Sequence, residues 1–335
     1  MLLARLSEAA GVSGQEDEVR NLIKAELEKL GVSYKTDALG NVLAYKPGRK
    51  GGTTVMAAAH MDEVGLMVVG VEDSGLLRFK PVGGIDRRVL VAKQVLVGPD
   101  RVPGVIGSKP IHLQKRNERN TPLQWQELYI DIGAKDKAEA EKLAPLGTAV
   151  IFATSFKQLS DDIVMGKAFD DRVGCSVLLE LLKEDYDCSL VCAFTVQEEV
   201  GLRGAGPAAY SADPDLALVI EGTTASDVPG VPEHGHATSV GKGPALTIMD
   251  RTSIPARPLV EKLRQVALEE NIPIQYRRAT TGGTDAGKIH LTKGGIPVAG
   301  VSVPCRYIHS PASVASLGDI EKTVRLVKGF LRREC

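Results

Sequence analysis

The sequence has few aromatic residues and no excess of charge of either sign. Phenylalanine, tryptophan and tyrosine make up 4% of its 335 residues, and Trp125 is the one tryptophan. Lysine and arginine total 41 against 42 aspartate and glutamate residues, so the formal net charge is −1 at pH 7. Such a balance gives no support for nucleic acid or an anionic membrane as the main partner. We therefore expect neither nucleic acid nor a membrane among the partners.

Long apolar runs and paired cysteines are also missing. No stretch reaches the roughly 18 apolar residues that span a bilayer, and the first residues lack the apolar core of a signal peptide. The cysteines form no CxxC pair; they are Cys175, Cys188, Cys192, Cys305 and Cys335. These absences predict a cytoplasmic protein with free thiols, and they argue against a cysteine metal site or a disulfide framework.

Two kinds of apolar pattern alternate along much of the chain. Apolar residues recur at helical spacing in segments such as 16–30 and 256–270, and this spacing predicts amphipathic helices. Near-continuous apolar runs, such as 188–196 and 296–303, predict buried strands. Strands of this kind between helices favour an α/β fold with a mostly parallel sheet covered by helices.

Between about residues 68 and 160 the pattern changes to short β-rich runs separated by glycine and proline. Such runs predict a small β-barrel or sandwich, with one short helix near 135–143. We therefore predict a discontinuous α/β domain of residues 1–67 and 161–335, interrupted by a β domain of residues 68–160. Within this insertion the polar segment 113–126 has no periodicity, so it should be an exposed, mobile loop.

A histidine or a carboxylate follows each apolar strand of the predicted α/β domain. These residues are His60 and Asp62, Glu198 and Glu199, Glu221, and His309, and a further pair, Asp170 and Asp171, opens a helix. Ligands of α/β sheets bind beyond the carboxyl ends of the strands, so these side chains should meet at one edge. Two histidines and several carboxylates without cysteine suit zinc, cobalt or manganese.

The adjacent acids Glu198 and Glu199 need a particular explanation. Carboxylates side by side at the end of a buried strand repel each other and resist burial. A cation bound by one of them removes the repulsion and leaves the other free to hold or take a proton. Taken singly, each candidate has an ordinary structural explanation, such as a buried histidine, a turn or a helix N-cap. Their convergence at one sheet edge favours a metal site. The other histidines have no such placement and are interpreted as structural: His112, His234, His236 and His290.

Several motifs occur in one order over the whole chain: AHMDEVG, KAFDDRVG, VQEEVGLRGA, the strand leading to Glu221, GGTDAG and RYIHSP. Together they resemble those of the tetrahedral (TET) and glutamyl aminopeptidases, which are dinuclear metallopeptidases of the zinc exopeptidase clan. The resemblance implies a zinc-exopeptidase-like α/β domain with an inserted β-barrel dimerisation domain. It also implies peptide substrates cut at the N-terminus, and a homo-oligomer that is built from dimers into a hollow dodecamer.

Five residues match the metal ligands of that family. They are His60 and Glu221 for one ion, Glu199 and His309 for the other, and Asp170 as the bridge between both. Two divalent ions per subunit are therefore implied, zinc or cobalt, with manganese as an alternative.

The resemblance also implies a catalytic role for two other acids. Glu198 resembles the general base that takes a proton from a water activated by both ions. Asp62 resembles the carboxylate that orients a ligating histidine, here His60. The peptide bond between Asp170 and Asp171 is expected to be cis, as it often is in such sites.

Three alternatives remain open at this stage. Aminopeptidases of the family more often have aspartate where this chain has Glu221, and related enzymes with glutamate there include carboxypeptidases and deacylases. Members have also been labelled endoglucanases, but glycosidases need two facing carboxyls and no histidines, and a single tryptophan is sparse for stacking on sugar. A non-catalytic assembly module, with the barrel as its working part, is the third; the complete set of motif residues argues against it.

Overall fold

The computed structural model describes residues 1–116 and 118–334. Its helices are α1 (Leu2–Glu8), α2 (Asp17–Lys29), α3 (Lys137–Leu143), α4 (Phe169–Leu181), α5 (Ala205–Ala212), α6 (Arg257–Glu269), α7 (Ala286–Ile289) and α8 (Leu317–Glu334). Its strands are β1 (Ser33–Thr36), β2 (Val42–Lys46), β3 (Thr54–His60), β4 (Gly65–Val71), β5 (Leu77–Val82), β6 (Gln94–Val97), β7 (Val102–Ser108), β8 (Leu128–Asp131), β9 (Ala149–Phe152), β10 (Lys157–Gln158), β11 (Ile163–Gly166), β12 (Ser189–Thr195), β13 (Leu216–Ala225), β14 (Ala245–Thr247), β15 (Gln275–Arg277), β16 (Val298–Arg306) and β17 (Ser313–Ser316).

The larger sheet has a parallel centre and antiparallel edges. Its main path runs β1-β2-β12-β3-β13-β16-β17-β11-β10, and β14 and β15 join beside β16. The neighbours from β12 to β16 along this path pair in parallel, whereas the strands on either side of them pair antiparallel. The predicted α/β fold is confirmed. The sheet is mixed because short hairpin-like additions extend both edges of its parallel centre.

Helices cover both faces of this sheet, which explains why its central strands are apolar throughout. Along β3, Val55 and Ala57 pack into a cluster with residues of α2, α4, α6 and α8. Met56 and Ala58 point to the opposite face and pack with residues of α5 and α7. Successive side chains of a strand alternate between faces, so a strand covered on both sides carries no polar alternation.

The strands β4, β5, β8, β7, β6 and β9 close into a barrel with its own apolar core. The barrel sequence alternates in character because one face of each strand points inward, as with Leu66 and Val68 of β4. The inserted β-barrel is therefore confirmed, while the division at residues 68 and 160 stays a prediction. Most described residues of 113–126 are exposed, as predicted.

The thiol prediction is right at three positions and wrong at one. Cys175, Cys192 and Cys305 are free and buried, but Cys188 is disulfide-bonded. The sequence spacing could not reveal this, because tertiary folding brings the Cys188 sulfur to the C-terminal helix, 3.9 Å from the carbonyl oxygen of Leu331. Cys335 lies outside the described residues. Among the described residues, none of the helices combines the length and apolar character needed to cross a bilayer.

Candidate metal centre

Parallel pairing in register brings the predicted site residues together. In the pairing of β12 with β3, Thr195 lies beside His60, so the chain that leaves β12 passes the end of β3. Glu198 and Glu199 lie on that exit. Gln197 has φ of 55°, a left-handed conformation that non-glycine residues rarely adopt. This turn out of the strand lets two neighbouring carboxylates face one site.

Three groups of side chains each place one possible ligand atom within 4.8 Å of the others. They are His60 with Asp170 and Glu221, Asp170 with Glu199 and His309, and His60 with Glu198 and Glu199. All five residues predicted as metal ligands, and the predicted base Glu198, thus fall in one cluster. Histidine nitrogen and carboxylate oxygen are the donors that zinc and its neighbours prefer.

Asp170 lies between the two histidines. Its Oδ1 is 3.2 Å from His60 Nε2, and its Oδ2 is 3.3 Å from His309 Nε2. Glu221 Oε1 lies 3.7 Å from His60 Nε2, and Glu199 Oε1 lies 3.4 Å from His309 Nε2. The cluster therefore divides into two halves that share the carboxylate of Asp170.

Asp62 holds several parts of the cluster at once. Its Oδ1 is 3.3 Å from His60 Nδ1. The carboxylate also accepts hydrogen bonds from the backbone N–H groups of Glu198 and Glu199 at 2.9 and 3.1 Å, and from the Ser13 hydroxyl at 2.6 Å. Because Asp62 is fully buried, these bonds are not exchanged for water. The carboxylate predicted to orient His60 thus also fixes the turn that carries both glutamates.

Asp171 fixes the backbone around the site rather than joining the cluster. It is buried and accepts hydrogen bonds from the N–H groups of His60, Gly174 and Gly222 at 2.9 to 3.2 Å. The Asp170–Asp171 peptide bond is cis, as expected. Neighbouring acids of the sequence therefore have different surroundings, since Asp170 faces the histidines and Asp171 faces main-chain donors.

The barrel contributes directly to one half of the cluster. Gly84, in the turn after β5, accepts a hydrogen bond from His309 Nδ1 at 2.8 Å. Because Nδ1 carries the hydrogen of this bond, the free lone pair of the neutral ring is on Nε2. Nε2 is the nitrogen that faces Asp170 and Glu199. A Cβ atom on Gly84 would lie 3.3 Å from His309 Nδ1, so this turn approaches the histidine closely.

The electrostatics of the cluster favour positive charge. Burial raises the pKa of Glu198 and of Glu221 well above the ordinary value, and repulsion between these acids adds to the effect on Glu221. Burial raises the pKa of Glu199 to about 7. Burial opposes ionisation of His309, but its hydrogen bond to Asp170 and attraction by Glu199 raise its pKa to about 10 overall. Protons thus balance the buried acids, and bound cations could take their place.

The metal-free protein is expected to lose stability as the pH rises from about 5 to 9. Glu199 keeps its proton in the native state up to about pH 7 but loses it near 4.5 when unfolded. His309 also holds its proton more tightly in the native state, where its pKa is about 10, than in the unfolded state, where its pKa is 6.5. Because the native state binds more protons across these windows, the free energy of unfolding falls as pH rises. For buried Glu199 the loss is about 1.4 kcal/mol per pKa unit; half-exposed His309 contributes less, because solvent screens it.

Denaturant unfolding of chelator-treated protein at several pH values measures this slope. Metal-loaded protein serves as the control, and its slope should be smaller because cations replace the protons. A metal-free protein that gains stability over the same pH range would contradict the assignment of a proton-holding cluster.

A cavity of about 760 Å³ opens on the cluster. The predicted residues Asp170, Glu198, Glu199, Glu221 and His309 are part of its lining. The rest of its lining consists mainly of glycine, threonine and serine, with two arginines, Arg251 and Arg277. The cavity is large enough for an amino-acid residue and the start of a peptide chain.

Sequence reasoning missed several residues that support the cluster. Ser13 and Gly84 bond to it from distant parts of the sequence, and neither has any sequence signal. Asp285 of the GGTDAG motif is buried and accepts a hydrogen bond from the Thr195 hydroxyl. Among the described residues, the histidines interpreted as structural do not enter any of the three ligand groups.

Comparison with known proteins gives likenesses along the whole chain. A family model described as M42 glutamyl aminopeptidase matches residues 40–326. The solved TET aminopeptidase from the marine sediment archaeon Thaumarchaeota archaeon SCGC AB-539-E09 is 38% identical, with a TM-score of 0.96; the match covers 99% of this chain and 95% of that one.

Two further relatives are named for different properties, one for its assembly and the other for its substrate. The solved TET1 peptidase of Pyrococcus horikoshii, which can assemble into a tetrahedron or a large octahedral shell, is 34% identical, with a TM-score of 0.88 and coverage of 99% of this chain and 98% of that one. The lysyl aminopeptidase of Pyrococcus furiosus is 31% identical, and the match covers 98% of this chain and 96% of that protein.

Proposed function

This chain belongs to the M42 glutamyl aminopeptidase family. From that premise we propose that the cluster would hold two divalent cations, and that the protein removes N-terminal residues from peptides there with Glu198 as the base. Membership confirms the resemblance drawn from the motifs, and with it the prediction of an enzyme that acts on peptide bonds. Peptidases of this family are metallopeptidases, so the donor set of the cluster agrees with the class.

The shared position of Asp170 supports two cations rather than one. Each of its oxygens faces a different histidine, at 3.2 Å for His60 and 3.3 Å for His309. His60 and Glu221 would hold one cation, Glu199 and His309 the other, and Asp170 both. Six buried or half-buried ionisable groups in one cluster are unfavourable without such counter-charges. Zinc, cobalt and manganese all suit these donors.

The bound cations would polarise the scissile carbonyl and make a water acidic enough to attack it at neutral pH. Glu198 would take the proton of that water and pass it to the departing amine. Its carboxylate lines the cavity, and its backbone N–H is fixed by Asp62 at 2.9 Å. Asp62 would keep His60 in the orientation and tautomer that present Nε2 to a cation. A bound cation or a nearby acid would hold the free α-amine of the substrate, which would restrict cleavage to the N-terminus.

The barrel would serve in assembly as well as in holding His309. We propose a homo-oligomer built from dimers through the inserted barrel of residues 68–160, with a tetrahedral dodecamer as its largest form. The name of the Pyrococcus horikoshii relative, which describes a tetrahedron and a larger shell, supports assembly of this kind. A cytoplasmic location remains the prediction from composition.

An assay of the purified protein tests the proposed reaction. Amino-acid nitroanilides with a free α-amine should be hydrolysed in the presence of cobalt or zinc. A chelator should abolish the activity and added metal should restore it, because the bound cations would polarise the scissile carbonyl. N-acetylation of the same substrates should also abolish release, while a soluble cellulose should stay intact.

Each other outcome points to a different function. Release of nitroaniline from N-acetylated substrates would indicate another metallo-amidohydrolase instead of an aminopeptidase. The substitution Glu221→Asp would then test whether this residue determines the class of enzyme. Hydrolysis of cellulose that is insensitive to chelator would favour the endoglucanase alternative. Silence on all substrates, from a protein without bound metal, would favour the non-catalytic assembly module.

A further inference from the structure

A buried ion pair next to the ligand cluster joins the two chain segments that carry His60 and Asp170. Lys167 Nζ lies 2.6 Å from Oε1 and 2.8 Å from Oε2 of Glu63, and both side chains are only 2% exposed. We propose that Lys167 and Glu63 are positioning residues of the dinuclear centre, which fix the bridging Asp170 relative to His60. The proposal rests on the proposed function and names two residues that act on its centre through the ligands.

The pair links segments that are far apart in sequence, since Glu63 and Lys167 are 104 residues apart. Glu63 directly follows Asp62, whose carboxylate lies 3.3 Å from His60 Nδ1. Lys167 precedes Asp170 by three residues. The ion pair therefore connects the segment of one histidine ligand with the segment of the bridging carboxylate. A shift of either segment would change the distance between the ligand atoms that they carry.

The short segment that carries Asp170 is anchored at both ends. At one end, besides the ion pair, the Ser7 hydroxyl donates a hydrogen bond to the carbonyl oxygen of Lys167 at 2.7 Å. At the other end, Asp171 accepts its three backbone hydrogen bonds. Between these anchors Ala168 has φ of 54°, a left-handed conformation that persists in a non-glycine residue only where the surrounding structure imposes it. The two anchors thus determine the place of the Asp170 carboxylate.

The hydrogen bonds of Lys167 suit a residue that holds a position. Its three ammonium hydrogens match three acceptors, the two oxygens of Glu63 and the carbonyl oxygen of Ala9 at 2.9 Å. The fully buried Arg172 of α4 donates to the same carbonyl oxygen at 3.1 Å. A buried polar network with satisfied donors rigidifies its surroundings, whereas loss of one partner leaves a buried charge without its counter-charge.

The pair also lies close to the half of the cluster that contains His309. Glu63 and Lys167 line a small cavity of about 10 Å³ together with three predicted ligands, Asp170, Glu199 and His309. A cavity of this size holds no more than about one water molecule. The close packing leaves little room to absorb a displacement of the pair before it reaches the ligands.

The variant Lys167→Met tests the proposal, because methionine is a long side chain without the ammonium group. We expect the affinity for the more weakly held cation to fall by about 10- to 100-fold, the usual effect of losing an outer partner of metal ligands. At saturating metal, kcat should fall by about 10- to 100-fold and more than KM changes, because misplaced ligands affect the reacting atoms. The absorption spectrum of the cobalt-loaded protein should also shift, since it reports the arrangement of ligands around the ions.

Lys46→Met is the matched control. Lys46 Nζ likewise contacts a carboxylate and a carbonyl oxygen, at 2.9 Å from Asp185 Oδ1 and 2.7 Å from the oxygen of Leu182. It pairs with Leu190 near the start of β12, at the end of the sheet away from the cluster. Its loss can lower the unfolding temperature, but the cation affinity, kcat and cobalt spectrum should stay those of the unchanged protein.

Two further variants separate position from charge and from folding. Lys167→Met combined with Glu63→Gln removes one positive and one negative charge, so the net charge of the buried group is kept. Its cation affinity should stay low, because the link between the segments is still broken. Ser7→Ala removes one hydrogen bond from the backbone of Lys167 and leaves the ion pair intact. It should change the cation affinity and the cobalt spectrum in the same direction as Lys167→Met, by a smaller amount.

Three results would overturn the proposal. The first is a folded Lys167→Met protein with unchanged cation affinity, kcat and cobalt spectrum. The second is full recovery of the cation affinity in the double variant, which would assign the effect to the charge of Lys167. Where Lys167→Met does not fold, the third decides: a Ser7→Ala protein whose affinity and spectrum equal those of the unchanged protein. In each case the unchanged protein still binds two cations and cleaves free-amine substrates, whereas failure of the proposed function would remove one or both of these properties.

Discussion

Replacing Glu198 by glutamine is expected to lower kcat by about 10²- to 10⁴-fold, the usual contribution of a general base. Glutamine has the same shape but cannot take up the proton of the attacking water. The backbone of residue 198 would stay in place, because its N–H group donates to Asp62 and not to its own side chain. The fold and the content of two cations per chain should therefore persist, and KM should change much less than kcat.

These effects are measured on one preparation: steady-state kinetics gives kcat and KM, elemental analysis gives the metal content, and thermal unfolding reports on the fold. Glu16→Gln is the matched control: Glu16 is a buried acid whose carboxylate accepts a hydrogen bond from the N–H of Gln197, and an amide oxygen can accept the same bond. It lies outside the cavity lining, so its kcat should stay within about tenfold of the unchanged protein. A Glu198→Gln enzyme with most of its activity would disprove the base. Loss of a cation would instead make Glu198 a ligand, a role that its group with His60 and Glu199 permits.

Much of the cluster could be predicted because its residues follow apolar strands. His60 ends β3, and Glu198 and Glu199 come just after β12, so the carboxyl-end rule for α/β sheets placed them correctly. Glu221 was also predicted to lie at the site, although its strand does not end there: β13 continues to Ala225. β13 continues beyond its apolar run because it pairs with β16 as far as Ala225. This pairing is not visible in the local sequence.

What could not be predicted are the contacts that hold the cluster in place. Ser13 and Asp62 are 49 residues apart, and Gly84 and His309 are 225 apart. Serine and glycine are common, and their spacing carries no periodic signal, so only tertiary structure identifies them. The same holds for the edges of the sheet, where short strands such as β10 and β17 add antiparallel pairs that an apolar-run argument does not detect.

Replacing Asp170 by asparagine is expected to remove most of the bound metal and all measurable turnover. An asparagine presents only one acceptor oxygen, and its amide nitrogen carries hydrogens that repel a cation. Asp170 faces both histidines in the structure, so its loss would weaken both halves of the cluster. The affinity for the more weakly held cation should fall by at least the roughly 10- to 100-fold that even outer partners of metal ligands contribute.

Elemental analysis after gel filtration in metal-free buffer separates this role from that of a single-site ligand. Loss of His309 in His309→Ala should leave one cation per chain, because His60, Glu221 and Asp170 still form one ligand group. His290→Ala is the control: this histidine bonds to the carbonyl oxygen of Ala286 and belongs to none of the ligand groups of the described residues, so both cations should remain. If Asp170→Asn retained two cations with unchanged affinity, Asp170 would not be their bridge. The shared-carboxylate arrangement, and with it the dinuclear mechanism, would then have to be abandoned.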